Sequence, residues 1–535
     1  MSDWTEYGRE LAAKRLERRK FLKGMLGISG LALAQGTGLA RALLPKSSAA
    51  ALPDPGGNHF TTIVVGMMEN RSYDHYFGWR GPDFGGMQEG FSNPTSLEAP
   101  PDGCSPVATL AVDDPTPVDT FHLETHCQIP DPDHGWNGGR VQLNHGQVNG
   151  FYERSGKVAM GYLEAEDIPF SAWLAENYTT FSNYFCSVLG PTFPNRLYLH
   201  SAQGGGHQGN YIPVPDFTNP ADLLPLGHRW PTIWDRLNDA GVDWAFYGSD
   251  VPTIALFFHE IYENPGKVRH ITDFYIDAAL GLLPKVAFID PAFFTYGNDD
   301  HPARDIKAGQ RFIQDAFLAV AEGPQWYDTS TGKGAAWVMT YDEWGGFYDH
   351  VAPPTAPDPM ASTNHCDDWG QLGFRVPTIL ASPFSKPNFV GANVYDHTSI
   401  LKMIEWNFGL DPVVGTVSNP VTRDGFANNL AEVLDFGQAP RVELPSEPPF
   451  IPVHLASLWC AQSPTIEATD GENPLEVIPD IPLPPPVLPG SASASLAKSP
   501  DQFEEPHAEM LALADAGYFG KFDMRERAKS GVWRE

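Results

Sequence analysis

Basic residues and cysteines are scarce in this chain of 535 residues. Lys and Arg together number 35 against 66 Asp and Glu, which gives a formal net charge of −31 at pH 7. This excess of negative charge argues against nucleic acid or an anionic membrane surface as a general partner. A phosphate group can still bind, provided that a metal ion or a nearby Arg reverses the field in the site.

Only five cysteines are present, and no two of them form a CxxC pair. That spacing argues against a structural zinc site. Disulfides form outside the reducing cytoplasm, and the odd number leaves at least one cysteine unpaired if the others bridge. The sequence leaves the pairing open among Cys104, Cys127, Cys186, Cys366 and Cys460.

The N-terminal segment lacks a strongly apolar run, because the stretch from Gly24 to about Leu44 contains several Gly and one Arg. It is therefore a poor transmembrane helix. Before it, Arg18-Arg19-Lys20-Phe21-Leu22-Lys23 resembles the twin-arginine export motif, and Ala49-Ala50-Ala51 offers the small residues of a cleavage site. We predict a signal peptide over 1–51, export by the twin-arginine translocase to the periplasm, cell envelope or exterior, and no stable transmembrane anchor. A chance Arg pair before a short amphipathic helix is the alternative.

Gly and Pro are abundant, at 51 and 50 residues, which indicates many loops around a compact scaffold. Short apolar β-type runs alternate with helical patterns. This alternation predicts an α/β fold with a mainly parallel sheet flanked by helices on both faces, long inserted loops and a Pro-rich C-terminal tail. We expect one main domain over 52–440 and a Pro-rich extension over 441–535. The predicted strands are 62–66, 243–247, 285–289, 337–341 and 377–381, and the predicted helices are 231–240, 303–321 and 400–408.

A first polar cluster follows the predicted strand at 62–66. Glu69 offers a hard oxygen ligand or a base, Asn70 offers a carbonyl oxygen, and Arg71 offers a guanidinium fork for anions. Open α/β sheets bind their ligands just beyond the carboxyl ends of the strands. The cluster is therefore a candidate site, and a capped strand end with a solvated turn is the alternative.

A second stretch, Gly190-Pro191-Thr192-Phe193-Pro194-Asn195, precedes a periodic run and predicts a helix start, because Pro is tolerated in the first turn. Thr192 would lie at or just before the helix N-terminus, where free N–H groups favour an anion. Its hydroxyl could attack phosphorus if its pKa were lowered. An ordinary N-cap is the alternative.

A third stretch places Asp342 and Glu343 directly after the predicted strand at 337–341. Two carboxylates this close repel each other unless a metal ion or a proton relieves the repulsion. Oxygen-rich sites suit hard divalent ions. A surface acidic turn is the alternative.

Together and in this order, the three stretches resemble the motifs of the bacterial phosphoesterase family that contains phospholipases C and related acid phosphatases. The resemblance spans most of 60–410 and implies an alkaline-phosphatase-like fold for a catalytic domain. It implies that Thr192 is the nucleophile, and the Thr at this position favours the phospholipases over the phosphatases. Trp344 departs from the family pattern and is expected to affect the rim. The implied ligands of a divalent metal ion such as Ca²⁺, Mg²⁺ or Mn²⁺ are Glu69, Asn70, Asp342 and Glu343, with the oxygen of Thr192.

Two histidines match further segments of the family: His134 before Gly-Trp and His301 before Pro. The resemblance implies that they line the pocket, where they contact phosphate oxygens or protonate the leaving alcohol. It also implies substrate-binding positions at Arg71 and Asn195. A structural role is the alternative for each His. His350 and His397 also lie in family-like segments, without an assigned role.

The resemblance implies a metal-dependent phospholipase C that hydrolyses the glycerol–phosphate ester of phospholipids through a phosphothreonyl intermediate, and the twin-arginine-like N-terminus predicts that it is exported. The nearest alternative is a broad-specificity acid phosphatase that acts on phosphomonoesters at the same site. A non-catalytic phosphate-ester-binding protein is a further alternative, although a binding protein needs no hydroxyl nucleophile.

Overall fold

The computed structural model describes residues 52–87, 90–97, 104, 116–128, 130–210, 212, 227–293, 297–302 and 304–451. The predicted signal peptide at 1–51 and most of the predicted C-terminal extension lie outside these ranges. Within them, no helix combines the length and the apolar character that crossing a membrane requires.

The described residues contain fifteen strands. These are β1 Phe60–Met68, β2 Ser92–Asn93, β3 Val118–Asp119, β4 Phe121–His122, β5 Gly161–Tyr162, β6 Thr179–Phe181, β7 Trp244–Gly248, β8 Val268–His270, β9 Val286–Asp290, β10 Tyr327–Asp328, β11 Lys333–Tyr341, β12 Ile379–Ala381, β13 Phe389–Gly391, β14 Gly415–Thr416 and β15 Asn419–Pro420.

Nine of these strands form one central sheet in the order β13-β6-β12-β11-β1-β9-β7-β8, with β10 paired to β11. The pairings of β1 with β11 and β9, of β7 with β9 and β8, and of β13 with β6 are parallel. Those of β11 with β12 and β10, and of β12 with β6, are antiparallel. The sheet is therefore mixed but mainly parallel, which confirms the predicted fold class.

Strand β1 lies in the middle of the sheet and is covered on both faces. Its consecutive residues Ile63, Val64 and Val65 are all buried. Successive side chains of a strand point to opposite faces, so burial of all three requires packing on both sides of the sheet. A continuous apolar run of this kind is typical of a central parallel strand.

Ten α-helices are described, and several begin at a residue whose side chain accepts a hydrogen bond from a backbone N–H of the first turn. Asp396 and Ser399 form a reciprocal capping box at the start of the last helix, which ends at Gly409 in the left-handed conformation with φ 68°. The helices are α1 Tyr73–Phe77, α2 Trp136–Leu143, α3 Phe151–Ser155, α4 Pro169–Asn177, α5 Thr192–Ser201, α6 Ile233–Asp239, α7 Phe258–Glu263, α8 Ile271–Leu280, α9 Ile306–Ala321 and α10 His397–Phe408.

Each predicted strand overlaps an observed strand of the central sheet, and the three predicted helices correspond to α6, α9 and α10. Between β1 and β6, the described residues form only short helices and two-residue strands, as expected for inserted loops. Cys104 and Cys366 are joined by a disulfide, Cys127 is also disulfide-bonded, and Cys186 is a buried free thiol.

A buried ionic network anchors α1 to the loop that follows β11. Arg375 donates from Nη2 to Asp74 at 3.0 Å and from Nε to Asp349 at 2.8 Å. The other oxygen of Asp74 accepts from the His350 ring at 2.5 Å. Burial raises the pKa of Asp349 to about 6, although Arg375 opposes the change. The network therefore depends on one buried cation between two carboxylates, and it gives His350 a structural partner.

Arg375→Met should lower the free energy of unfolding by about 3–5 kcal/mol, because it leaves Asp74 and Asp349 buried without their cation. Denaturant titration measures the loss. Arg311→Met is a matched control, since its pair with Asp315 at 2.7 Å is about one-third exposed. Arg311→Met should lower the free energy of unfolding by less than about 1 kcal/mol. Equal losses of unfolding free energy in the two variants would contradict the conclusion that Arg375 compensates two buried carboxylates.

Candidate functional site at the carboxyl edge of the sheet

Strands β1 and β11 bring the first and third sequence motifs together. The two strands are parallel neighbours, and Met68 pairs with Tyr341 at their carboxyl ends. The next residues are Glu69 and Asp342, so the two carboxylates leave the sheet side by side. The backbone N–H of Asn70 donates to Asp342 Oδ1 at 3.0 Å, which closes the contact between the motifs.

The loops after the two strands interlock at a pair of unusual backbone conformations. Asn70 is in the left-handed region with φ 59°, and Gly345 has φ 63°. A Cβ atom at Gly345 would lie 2.1 Å from the carbonyl oxygen of Asn70, so only Gly allows this approach. The N–H of Arg71 donates to the carbonyl of Glu343 at 3.0 Å. The positions of Asn70 and Glu343 therefore depend on each other.

The second motif begins helix α5, with Thr192 as its first residue after Pro191. Asn195 braces the preceding loop: its Oδ1 accepts from the N–H of Val188 at 3.0 Å, and its Nδ2 donates to Gly190 O at 2.8 Å. The polar atoms of Asn195 are thus engaged within the loop. Its predicted contact with substrate stays a prediction.

Arg196 connects helix α5 to the carboxylates of the other two motifs. Its Nη2 donates to Glu69 Oε1 at 2.5 Å, and its Nε lies 3.7 Å from Asp342 Oδ2. Its Nη1 lies 3.6 Å from Asp290 at the end of β9. Arg196 is fully buried. Because it lies one helical turn after Thr192, the same helix presents the hydroxyl and the guanidinium to this edge.

Each acidic side chain in the cluster has one oxygen held and the other without a hydrogen bond. Glu69 Oε1 is held by Arg196, Asp342 Oδ1 by the N–H groups of Asn70 and Glu343, and Glu343 Oε2 by the N–H of Gly345. Among the described residues, five buried oxygens of the cluster have no hydrogen-bond partner: Glu69 Oε2, Asn70 Oδ1, Thr192 Oγ1, Asp342 Oδ2 and Glu343 Oε1.

This set of partnerless oxygens is the outcome expected for a site that holds a hard cation. Buried polar atoms are rarely left without a partner, since each such atom costs about 1–3 kcal/mol. Three carboxylates, one amide and one hydroxyl supply only oxygen, the donor that Ca²⁺, Mg²⁺ and Mn²⁺ prefer. The donor chemistry of these residues therefore fits the metal that the family resemblance implies, and their convergence on one ion stays a prediction.

The pKa values of the cluster show an excess of negative charge. Burial and the nearby Asp342 raise the pKa of Glu69 well above its ordinary value, and Arg196 offsets only part of that change. Burial likewise raises the pKa of Glu343, with His134 acting in the opposite direction. Arg196 and His134 offset only part of the charge of the three carboxylates, so a further cation or a proton would stabilise the cluster.

The two predicted catalytic histidines lie next to each other, and Asp131 lies between them. The rings of His134 and His301 are 5.9 Å apart and nearly perpendicular. Asp131 approaches His134 Nδ1 and His301 Nε2, each at 3.8 Å. Burial alone would lower the pKa of His134, but the carboxylates of Glu343 and Asp131 raise it to about 10. The group offers three ligand atoms within 4.8 Å of one another, so it is a second candidate for binding a cation.

His134 connects this group to the oxygen cluster. Its Nε2 lies 3.3 Å from the amide nitrogen of Asn70, and its Nδ1 lies 2.8 Å from the carbonyl oxygen of Pro132. The structure therefore places both predicted histidines at the same edge of the sheet as the three motifs.

Arg71 takes part in a hydrogen-bond network with Asp300, Gln128 and His75. Its Nε and Nη2 donate to the carbonyl of Asp300 at 2.9 and 2.5 Å, and its Nη1 donates to Gln128 at 2.6 Å. Nη1 also lies 3.1 Å from His75 Nε2. These contacts make Arg71 a brace for the loop that carries Asp300. Its predicted contact with substrate stays a prediction.

His397 supports the third motif from the start of helix α10. Its Nε2 donates to the carbonyl of Asp342 at 2.7 Å. Burial lowers the pKa of His397 to about 4, so the ring is neutral at physiological pH.

Sequence reasoning missed Arg196 and Asp131. The spacing of four residues between Thr192 and Arg196 was a usable signal, because residues four apart on a helix share a face. Asp131 carried a weaker signal, three residues before His134. A further group of potential metal ligands, Cys104, His365 and Cys366, contains the disulfide and therefore offers no thiolates.

Arg196→Met should lower the free energy of unfolding of the chelator-treated protein by about 3–5 kcal/mol, because Glu69 and Asp342 lose their buried cation. The double variant Arg196→Met/Glu69→Gln should lose less than the sum of the two single variants, since one uncompensated charge is removed with the cation. Chemical denaturation of the four proteins measures the coupling. Strict additivity would show that Arg196 does not compensate Glu69.

Comparison with known proteins places the chain among phosphoesterases. The model of the Phosphoesterase family matches residues 60–411. The chain is 30% identical to non-specific phospholipase C6 of Arabidopsis thaliana, over 72% of this chain and 74% of that protein. It is 29% identical to phospholipase C A of Mycobacterium tuberculosis H37Rv, over 86% and 93% of the two chains.

Similar solved structures include the lipoteichoic acid synthase LtaP from Listeria monocytogenes, with a TM-score of 0.32 and 9% identity over 71% of this chain and 79% of that one. A TM-score this low does not support a conclusion about the fold or the function of this chain. The family match covers most of the chain and coincides with the residues that build the site. The chain therefore belongs to the Phosphoesterase family and is a phosphoric ester hydrolase.

Proposed function

We propose that this protein is an exported, metal-dependent phospholipase C that cleaves the glycerol–phosphate ester of phospholipids through a phosphothreonyl intermediate. The observation that carries the proposal is the set of five buried oxygens without hydrogen-bond partners, one of which is the Thr192 hydroxyl. The relatives named phospholipase C support a phosphodiester lipid as the substrate. The twin-arginine-like sequence at 18–23 supports export.

A divalent cation would be held by the partnerless oxygens of Glu69, Asn70, Thr192, Asp342 and Glu343. When bound, such an ion supplies Lewis-acid stabilisation of phosphoryl charge and lowers the pKa of an alcohol. The chain itself contributes the orientation of the carboxylates. Because one oxygen of each carboxylate is fixed by Arg196 or by backbone N–H groups, the other oxygen is held in one direction.

Thr192 is the nucleophile in this proposal. Its Oγ1 forms a bond to phosphorus while the bond from phosphorus to the glycerol oxygen breaks, and diacylglycerol leaves. The head-group phosphate then remains on Thr192 until water attacks phosphorus and regenerates the hydroxyl. The position of Thr192 in the first turn of α5 favours the anion that develops there.

His134 and His301 would donate protons or hydrogen bonds to oxygens of the substrate beside Thr192. The carboxylates of Glu343 and Asp131 raise the pKa of His134, which favours a protonated ring that can donate to a phosphoryl oxygen. His301, next to Asp131, would give a proton to the leaving glycerol oxygen. Asp131 would orient both rings.

Thr192→Ala should lower turnover by roughly a thousandfold or more, whereas Thr192→Ser should keep measurable activity, because only the serine retains a hydroxyl at the reacting position. Acid quenching followed by peptide mass spectrometry should detect the phosphorylated head group on Thr192 in the wild type. Thr272→Ala is a matched control, since Thr272 lies in the first turn of helix α8. Near-normal turnover of Thr192→Ala would show that Thr192 is not the nucleophile.

Exhaustive chelation should abolish release of diacylglycerol from phosphatidylcholine, and addition of Ca²⁺, Mg²⁺ or Mn²⁺ should restore it, because the oxygen cluster then regains its cation. Release of phosphate from a small monoester is measured in parallel. Full activity after chelation would contradict metal dependence. Faster turnover of the monoester would favour the acid-phosphatase alternative, and tight binding of phosphate esters without turnover would favour the binding protein.

A further inference from the structure

Arg140 on helix α2 connects three segments of the chain close to Thr192. Its Nη1 donates to the carbonyl of Leu189 at 2.7 Å and to that of Trp136 at 2.8 Å, and its Nε donates to the carbonyl of His365 at 2.8 Å. The side chain is buried. Burial lowers the pKa of Arg140 to about 9, so the guanidinium remains charged at neutral pH. No step of the proposed mechanism uses this residue.

Trp136 also contacts both the Cys366 segment and the loop before Thr192. Its indole Nε1–H donates to the carbonyl of Cys366 at 2.8 Å, and the guanidinium carbon of Arg140 lies 3.7 Å from the centre of the Trp136 ring. The ring occupies the space that a Cβ of Gly190 would need, since such an atom would lie 2.9 Å from it. Trp136 therefore packs directly against the loop that leads to Thr192.

The Cys104–Cys366 disulfide restrains the segment whose carbonyls accept hydrogen bonds from Arg140 and Trp136. The two carbonyls that accept from Arg140 and Trp136 belong to consecutive residues, His365 and Cys366, and Cys366 is bonded to Cys104. The cross-link joins positions that are 262 residues apart in sequence. Loss of the bond would free the segment that supplies both acceptors.

We infer that Arg140 is a positioning residue for Thr192, and that it couples the nucleophile loop to the Cys104–Cys366 disulfide through Trp136. The inference rests on the proposed role of Thr192. Leu189, whose carbonyl Arg140 holds, lies three residues before Thr192, so a shift of the carbonyl is passed along a short, braced loop. Misplacement of a reacting group by about 1 Å can cost roughly a hundredfold in rate.

A double-mutant cycle tests this coupling. Arg140→Lys keeps the positive charge but removes the guanidinium, whose separate N–H groups donate to two segments at once. Cys104→Ser/Cys366→Ser removes the cross-link and leaves the other disulfide intact. Each change should lower kcat for phosphatidylcholine by roughly tenfold to a hundredfold. The triple variant should be no slower than the slower of the two parents, whereas multiplication of the two effects would overturn the inference.

Hydrogen exchange provides a readout that does not depend on turnover. Amide exchange in a peptide covering 186–192 should accelerate in both parents and in the triple variant. If Thr192→Ala remains active, the proposed nucleophile fails, but the exchange result still decides whether Arg140 positions the loop. Unchanged exchange in the Arg140→Lys protein would overturn the inference even if the nucleophile assignment holds.

Arg441→Lys is the matched control. Arg441 also donates to backbone carbonyls, those of Asn177 at 2.8 Å and Ser385 at 3.4 Å, and lies 5.6 Å from the ring of Tyr178. The control should leave kcat and exchange in 186–192 unchanged, and an equal effect would overturn the inference. If Arg140→Lys does not fold, Trp136→Phe removes the Nε1–H donor and part of the ring that packs against Gly190, and keeps an aromatic side chain next to Arg140. That variant should lower kcat severalfold with KM unchanged, and wild-type kcat would overturn the inference.

Discussion

The parallel pairing of β1 with β11 is the constraint on which the site depends. Because Met68 lies opposite Tyr341, the residues that follow are brought to one point, and Glu69 and Asp342 are forced into proximity. Proximity of two buried carboxylates is unfavourable by itself. The fold offsets this repulsion with the buried guanidinium of Arg196 and leaves a set of oxygens whose remaining charge suits a divalent cation.

Around this pairing, the structure fixes one oxygen of each carboxylate and leaves the other without a hydrogen bond. Gly345, which alone permits the close approach to Asn70, holds one oxygen of Glu343, and His397 holds the carbonyl of Asp342. Such an arrangement costs stability by itself, because each partnerless buried oxygen has lost its water. Preorganisation of this kind is the usual basis of electrostatic catalysis.

Much of the fold could be predicted from the sequence. Continuous apolar runs such as 62–66 are typical of central parallel strands, and periodic patterns such as 303–321 indicate helices. The proximity of the three motifs was an expectation from the resemblance to the phosphoesterase family, which assigns all three to one metal site. Arg196 was missed because its sequence context does not reveal which carboxylates lie across from it. Arg140 was missed because its acceptors are backbone carbonyls, which leave no trace in the sequence.

The sequence by itself determined the fold class, the three motifs and the Phosphoesterase family, because strand periodicity and local residue types are properties of short segments. Only the tertiary structure decided how the charges are balanced. It directs Arg71 to the carbonyl of Asp300, assigns Arg196 to Glu69 and joins Cys104 to Cys366. These partners lie far apart in the chain, and sheet order and packing, rather than local sequence, decide which of them meet.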